Sequence, residues 1–224
     1  MTAVYLGIDP TSSESKPSGW AALGASAELV GVGGAGSDAE IISLSERWRA
    51  KVVAIDSPLF LPKGLCCLEV PCPHASCHDW TGEKRVAERE LFRQGISLYW
   101  TTRKSFIKGM IYRSMALRRE LEERGIAVIE VYPYASKVRL WGRAKMPKKT
   151  TPAGRQWLCG KLAELVPGLR EREGRLDHDE LDAIVAAYTA YLYDRGLAEG
   201  VGDREEGLIY VPSGAARPTD LRST

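Results

Sequence analysis

"YLGIDPTSSESKPSGWAAL", residues 5–23, decides how the chain is read. A β-rich run closes on Asp9, a turn rich in serine and proline follows, and a second apolar run opens at Gly19 and Trp20. Two such runs separated by turn formers mark a hairpin, and "AELVGVGGAG" (27–36) extends it into an antiparallel meander. Ser37 or Asp38 caps the next segment, "DAEIISLSERWRA", in which Ile41, Ile42, Leu44 and Trp48 recur at helical spacing. "KVVAIDSP" (51–58) then reads as a buried strand ending at Asp56 and Pro58. The resulting order is strand, strand, strand, helix, strand.

Downstream, residues 59–82 hold Pro62, Pro71, Pro73 and most of the cysteines without any hydrophobic period, so they read as an irregular insertion. Helices are expected over 82–95, 109–125, 157–165 and 177–196, the last capped by Asp177, with strands over 126–134 and at "GLIYVP" (207–212). The expectation is a single α/β domain over residues 1–212. Its mixed five-stranded sheet is flanked by helices, a Cys-rich and helical insertion (about 59–108) follows the fourth strand, and 213–224 form a flexible tail.

With 224 residues, 44% of them hydrophobic, the chain can bury one full core. "MTAVYLGIDP" has no basic region, apolar core or cleavage site of a signal peptide, and no apolar run reaches the roughly twenty residues of a membrane helix. A cytoplasmic protein with reduced thiols and no membrane partner is therefore expected. The net charge of +2 hides a segregation: no acid occurs from Leu91 to Arg119 or from Val131 to Ala163, while both stretches are rich in Lys and Arg. Such blocks suit a polyanion, here nucleic acid, with Arg103, Lys104, Lys108, Lys137, Arg139, Arg143, Lys145, Lys148 and Lys149 as candidate contacts. In "KVRLWGRAKMPKKTTPAGRQW" (137–157), Trp141 and Trp157 are interleaved with the cations and would stack on unpaired bases. Arg85, Arg89 and Arg93 at i,i+4 steps would form a further phosphate-facing ridge. The competing reading is that these cations solvate helices and that both tryptophans are core residues covering the sheet, the preferred reading for Trp157, which lies on an apolar helix face.

Asp9 and Asp56 close strands, Glu130 lies inside one, and Asp179 and Asp182 share a helical face at i,i+3. Acids embedded in apolar runs are costly unless cations or donors meet them. Converging at one sheet end, they would hold Mg²⁺ or Mn²⁺, which take oxygen ligands and leave room for a phosphate. The alternative pairs each acid separately with a cap or an arginine. His178 is read as a surface residue at a helix start.

Here the sequence resembles a family. "YLGIDPTSSESKPSGWAAL" and "HDELDAIVAAYTAYL" are similar to the first hairpin and last helix of RuvC-type resolvases, nucleases of the RNase H-like fold. "VVAIDSPLFLPKG", "VIEVYPYA", "DHDELDAIVAA" and "EEGLIYVP" resemble, in order, segments of domain of unknown function 429, a family of predicted RNase H-like nucleases. The resemblance implies a metal-dependent nuclease in which Asp9, Asp56, Asp179 and Asp182 bind the metal, with Glu130 as an added ligand or orienter. Asp56 stands where the resolvases usually carry glutamate.

"LCCLEVPCPHASCH" (65–78) gathers Cys66, Cys67, Cys72 and Cys77, leaving only Cys159 elsewhere. Adjacent thiols should strain to reach one tetrahedral zinc, so zinc would use one of them with Cys72, Cys77 and His74 or His78. A [4Fe–4S] cluster offers separate irons, and Cys72-Pro73 suits it. The cluster is expected to cap the carboxylate site, and Cys159 to be packing. Two other functions stay open: a non-catalytic nucleic-acid-binding or redox-sensing protein built around that centre, and a phosphotransferase of the actin and sugar-kinase fold. The latter ranks last because no glycine-rich phosphate loop follows Asp9.

Overall fold

Strand β1 (Val4–Asp9) is the axis of the sheet, with β2 (Ser18–Leu23) antiparallel on one side and β4 (Ala50–Ile55) parallel on the other. The computed structural model describes residues 3–12, 15–74, 84–143 and 146–216. Strand β3 (Leu29–Ala35) completes the meander beside β2, and β5 (Ala127–Val131) runs parallel to β4. Beyond it lie β7 (Leu208–Pro212), parallel to β5, and β6 (Ala198–Gly202), antiparallel to β7. Among the described residues the sheet therefore has seven strands in the order β3-β2-β1-β4-β5-β7-β6, not five. The count rises because the "GLIYVP" strand joins the sheet and because "AEGVG", which two glycines make a weak strand former, pairs with it as a hairpin.

Strand periodicity divides the sheet into two faces. Val4, Leu6 and Ile8 of β1, with Val53 and Ile55 of β4, face α1 (Asp38–Arg47) and α3 (Lys108–Glu123) through Ile41, Leu44, Leu117 and Leu121. Tyr5, Val52, Ala54, Ile129 and Val131 face the opposite way, onto Ala186 and Ala190 of α6 (His178–Asp194). Helices α4 (Pro133–Trp141) and α5 (Pro152–Leu162) pack on α6, and α2 (Val86–Arg93) covers β6.

Local chemistry explains the helix starts. The Ser37 hydroxyl accepts from the Glu40 N–H at 3.2 Å, capping α1. At α6, Asp177 accepts from the Asp179 and Glu180 N–H groups, and Glu180 accepts in return from the Asp177 N–H, a reciprocal capping box. Helix α4 occupies residues that the sequence reading gave to the end of a strand and a basic linker; Pro133 at its first turn, with φ already suited to a helix, was the available signal. Of the tail expected over 213–224, Gly214–Ala216 form a 3₁₀ turn and Ala216 is buried in the α5–α6 core; 217–224 lie outside the described residues. Cys159 is buried in the same core. Among the described residues no helix is long and apolar enough to cross a membrane.

Helix α6 crosses β1 at backbone distance. A Cβ placed on Gly7 would stand 2.1 Å from the Ala183 carbonyl oxygen and 2.3 Å from the Ala187 nitrogen. Gly7→Ala should cost about 2 kcal/mol or more in urea denaturation, at or above the middle of the range for overpacking a fixed core. Gly160, in the last turn of α5 with no atom near its absent side chain, supplies the control: Gly160→Ala should gain up to about 0.5–1 kcal/mol from helix propensity.

Candidate functional site

The side-chain alternation that places Tyr5 and Gly7 against α6 continues to Asp9, and Val52 and Ala54 lead in the same way to Asp56. A ladder bond from the Asp56 N–H to the Ile8 carbonyl (2.9 Å) sets the two strand ends side by side. Asp182, on the α6 face that Gly7 admits, completes the group: one carboxylate oxygen each from Asp9, Asp56 and Asp182 lie within 4.8 Å of one another. Asp179, one turn earlier, is not part of this close group. Its carboxylate meets His178 Nδ1 at 2.6 Å and Lys16 Nζ at 3.4 Å, while its backbone rests on Gly19.

Glu130 sits at the opposite parity of β5 from Ile129 and Val131, so its side chain leaves the sheet on the other face. There it is buried in a two-pronged ion pair with Arg85, Oε1 to Nη1 at 2.7 Å and Oε2 to Nη2 at 2.9 Å, and it also accepts from the Leu59 N–H at 2.8 Å. Arg85 is itself fully buried and donates Nε to the Glu206 carbonyl, so it is no part of an exposed phosphate ridge. The pair anchors the loop leaving β4 to β5 and to the β6–β7 hairpin. A buried guanidinium is tolerated only with such matched acceptors.

Two lysines reach the carboxylate group. Lys137, buried on α4, donates to Asp182 Oδ1 at 2.8 Å, and Lys149 donates to Oδ2 at 2.6 Å. Three carboxylates thus face two ammonium groups. Asp9 Oδ2 is buried without a hydrogen-bond partner. Burial, and then the charges of Asp56 and Asp182, hold the Asp9 carboxyl well above the usual carboxylate range. Burial first and the Asp182 charge second push Asp56 up to about 7. Burial would raise Asp182 as well, but Lys137 and Lys149 outweigh it and hold that carboxyl below the usual range. An unpartnered oxygen on one of two carboxylates that resist ionisation is the environment a hard divalent cation relieves, so the donor set fits such an ion.

The group forms the floor of a cleft of about 560 Å³. Tyr99, Tyr132, Tyr134 and Trp157 line one part of it, and Arg143, Lys148 and Lys149 another. Trp157 also packs on the α5–α6 core, edge to face with Trp141 at 5.9 Å, so the core reading holds for its inner edge only. The other expected cationic contacts fall elsewhere. Arg139 pairs with Glu199 at 2.8 Å and Lys108 approaches Glu69 at 3.9 Å, while Arg103 and Lys104 precede α3 and do not line the cleft. Lys145 lies outside the described residues, as do Cys77 and His78. Sequence reasoning missed the aromatic lining: Tyr99, Tyr132 and Tyr134 had been read as parts of an insertion and a strand.

Cys66, Cys67 and Cys72 gather on the α3 side. Leu65, Cys67 and Leu68 pack on Ile111, and the Leu68 N–H donates to the Tyr112 hydroxyl at 2.6 Å. Among the described residues none of this stretch lines the carboxylate cleft, so the expected cap over the acids is instead a flank of α3. Its apolar residues, Leu65 and Leu68, find their burial against that helix.

The raised Asp56 carboxyl carries a sign for stability. Its folded-state pKa lies above the unfolded one, so the neutral form favours folding at low pH and that contribution is lost as pH rises through about 7. In chelator, Asp56→Asn, which mimics the neutral form, should melt close to wild type at or below about pH 4, near the unfolded carboxyl's own pKa, and several degrees above it near about pH 8. Thermal denaturation of both proteins across that range checks this, and a constant difference would speak against it.

A solved structure of RuvC from Thermus thermophilus is similar to this chain, with 13% sequence identity, coverage of 86% of this chain and 96% of that chain, and a TM-score of 0.45. No curated protein matches the sequence. A family model described as protein of unknown function (DUF429) matches residues 7–207, and the chain belongs to that family.

Proposed function

We propose that the protein is a metal-dependent nuclease that hydrolyses phosphodiester bonds of DNA or RNA at the Asp9, Asp56 and Asp182 group. The observation that carries this reading is the convergence of three carboxylates, Asp182 buried and Asp9 and Asp56 half-buried, one of them with an unpartnered oxygen, at the floor of a cleft lined by cations and aromatic rings. Asp9, Asp56 and Asp182 would hold Mg²⁺ or Mn²⁺. Bound there, the ion supplies Lewis acidity toward a phosphoryl oxygen and a nucleophilic water at neutral pH.

The chain's own residues supply binding and placement. Lys137 is too buried to meet a substrate phosphate, and its role is to keep Asp182 ionised and oriented. Lys149, half-exposed, keeps one side toward the cleft while it bonds Asp182, so it would meet a phosphate next to the metal ligands. Arg143 and Lys148 extend that positive rim, and the exposed Tyr99 with Tyr134 offers faces on which unpaired bases would stack. Asp179 would act on the group through its charge, which adds to the pressure on Asp9. Glu130 would act as a scaffold residue through Arg85.

Labelled single- and double-stranded DNA and RNA, incubated with Mg²⁺ or Mn²⁺, provide the test. Wild type should cleave at least one of them, and Asp9→Ala or Asp182→Asn should lose activity by on the order of 100-fold or more while keeping the folded spectrum. Binding without cleavage on every substrate would favour a non-catalytic nucleic-acid-binding protein instead. Lys148→Ala and Arg143→Ala should each weaken binding across sequences and reduce the slope of log K against log salt by roughly 0.7–0.9.

A further inference from the structure

We infer that Cys66, Cys67 and Cys72 bind a single thiophilic divalent ion of the zinc type, which fastens the loop after β4 to α3. This inference rests on the thiols alone and is independent of the proposed nuclease activity. Cys72 Sγ lies 3.5 Å from Cys66 Sγ and 3.4 Å from Cys67 Sγ, and the three sulfurs all fall within 4.8 Å of one another. No disulfide joins the described cysteines.

The spacing separates the possible occupants. A tetrahedral ion with metal–sulfur bonds of about 2.3 Å sets its ligand sulfurs roughly 3.8 Å apart, the edge of that tetrahedron. The two pairs that share Cys72, already 3.4–3.5 Å apart, need only a few tenths of an ångström of outward movement to span edges of that tetrahedron, and Cys66 and Cys67 lie within 4.8 Å of each other, so the three can take up three of its corners. An iron–sulfur cubane binds each thiolate to a different iron and so holds them well beyond contact distance. Adjacent Cys66 and Cys67 both bring their sulfurs to within 3.5 Å of Cys72 Sγ, so their adjacency does not keep them from sharing one ion.

The surroundings suit a bound thiolate. The His74 N–H points at Cys72 Sγ across 3.3 Å, a donor that favours the deprotonated sulfur. Cys67 is buried against Leu65, Leu68 and Ile111, while Cys66 is exposed, which gives an ion a dry side and an entry side. The far part of the loop also needs a fastening: the described residues from 57 to 74 contain no helix or strand, and from 69 to 74 none is buried. A structural zinc ion contributes folding free energy where a core does not.

The test uses the full chain purified anaerobically with no added metal, followed by elemental analysis and titration with Co²⁺ and then Zn²⁺. The expected result is about one zinc per chain, replaceable by Co²⁺ with thiolate-to-cobalt charge-transfer absorption that Zn²⁺ abolishes. Cys66→Ser, Cys67→Ser and Cys72→Ser should each lower zinc affinity by at least about 10-fold, whereas Cys159→Ser and Asp9→Asn should retain it. Should a serine variant not fold, chelation of the wild type gives the second readout: the loop around 66–74 should become sensitive to limited proteolysis and regain protection with Zn²⁺ but not Mg²⁺. Brown protein with iron and labile sulfide would overturn the inference. So would zinc retained in full by the three variants, or a loop whose protease sensitivity ignores zinc.

Discussion

The absence of a side chain at Gly7 is the constraint on which the site depends. It lets α6 lie on β1 at backbone contact, with Ala183 and Ala187 directly above the strand. At any larger separation Asp182 would stand off from Asp9 and Asp56 by the thickness of a side chain, and the three carboxylates would not share a ligand. The small residues Ala183, Ala186, Ala187 and Ala190 of α6 serve the same approach, and all are buried. Close packing here stabilises the fold and at the same time assembles a costly group of like charges.

The cost is met from residues distant in sequence. Lys137 comes from α4 and Lys149 from the segment before α5, and both converge on Asp182, leaving Asp9 and Asp56 under-compensated. The asymmetry divides the group: one carboxylate is held ionised by lysines, and two are left without a matching charge. A similar division separates the two sheet faces. The α6 face carries the carboxylate chemistry, while the α3 face carries the anchors of the insertion, the Arg85–Glu130 pair and the cysteine loop.

Two basic blocks of equal sequence appearance end in different environments. In the first, Arg113 reaches Asp38 at 2.8 Å, Arg118 lies over the Phe60 ring at 4.1 Å, and Lys108 approaches Glu69, so several cations are engaged by the scaffold. In the second, Arg143, Lys148 and Lys149 border the cleft. Composition alone makes the blocks equivalent, since a charge run does not reveal which acids from other elements will face it.

The sequence by itself determined the features that depend on neighbours along the chain. The opening meander, the caps of α1 and α6, the strand-end positions of Asp9 and Asp56, and the i,i+3 placement of Asp179 and Asp182 follow from periodicity and local hydrogen bonding. Tertiary structure decided which acids meet. Glu130 differs from its neighbours by one step of strand parity, which sends it to Arg85 on the far face, and Asp179 lies one helical turn short of the group. It also decided that Arg85 is buried, that Lys137 neutralises an acid, and that adjacent cysteines converge on a third. Each of these rests on contact between residues tens of positions apart or on a side chain's direction at close packing, and short-range patterns carry no record of either.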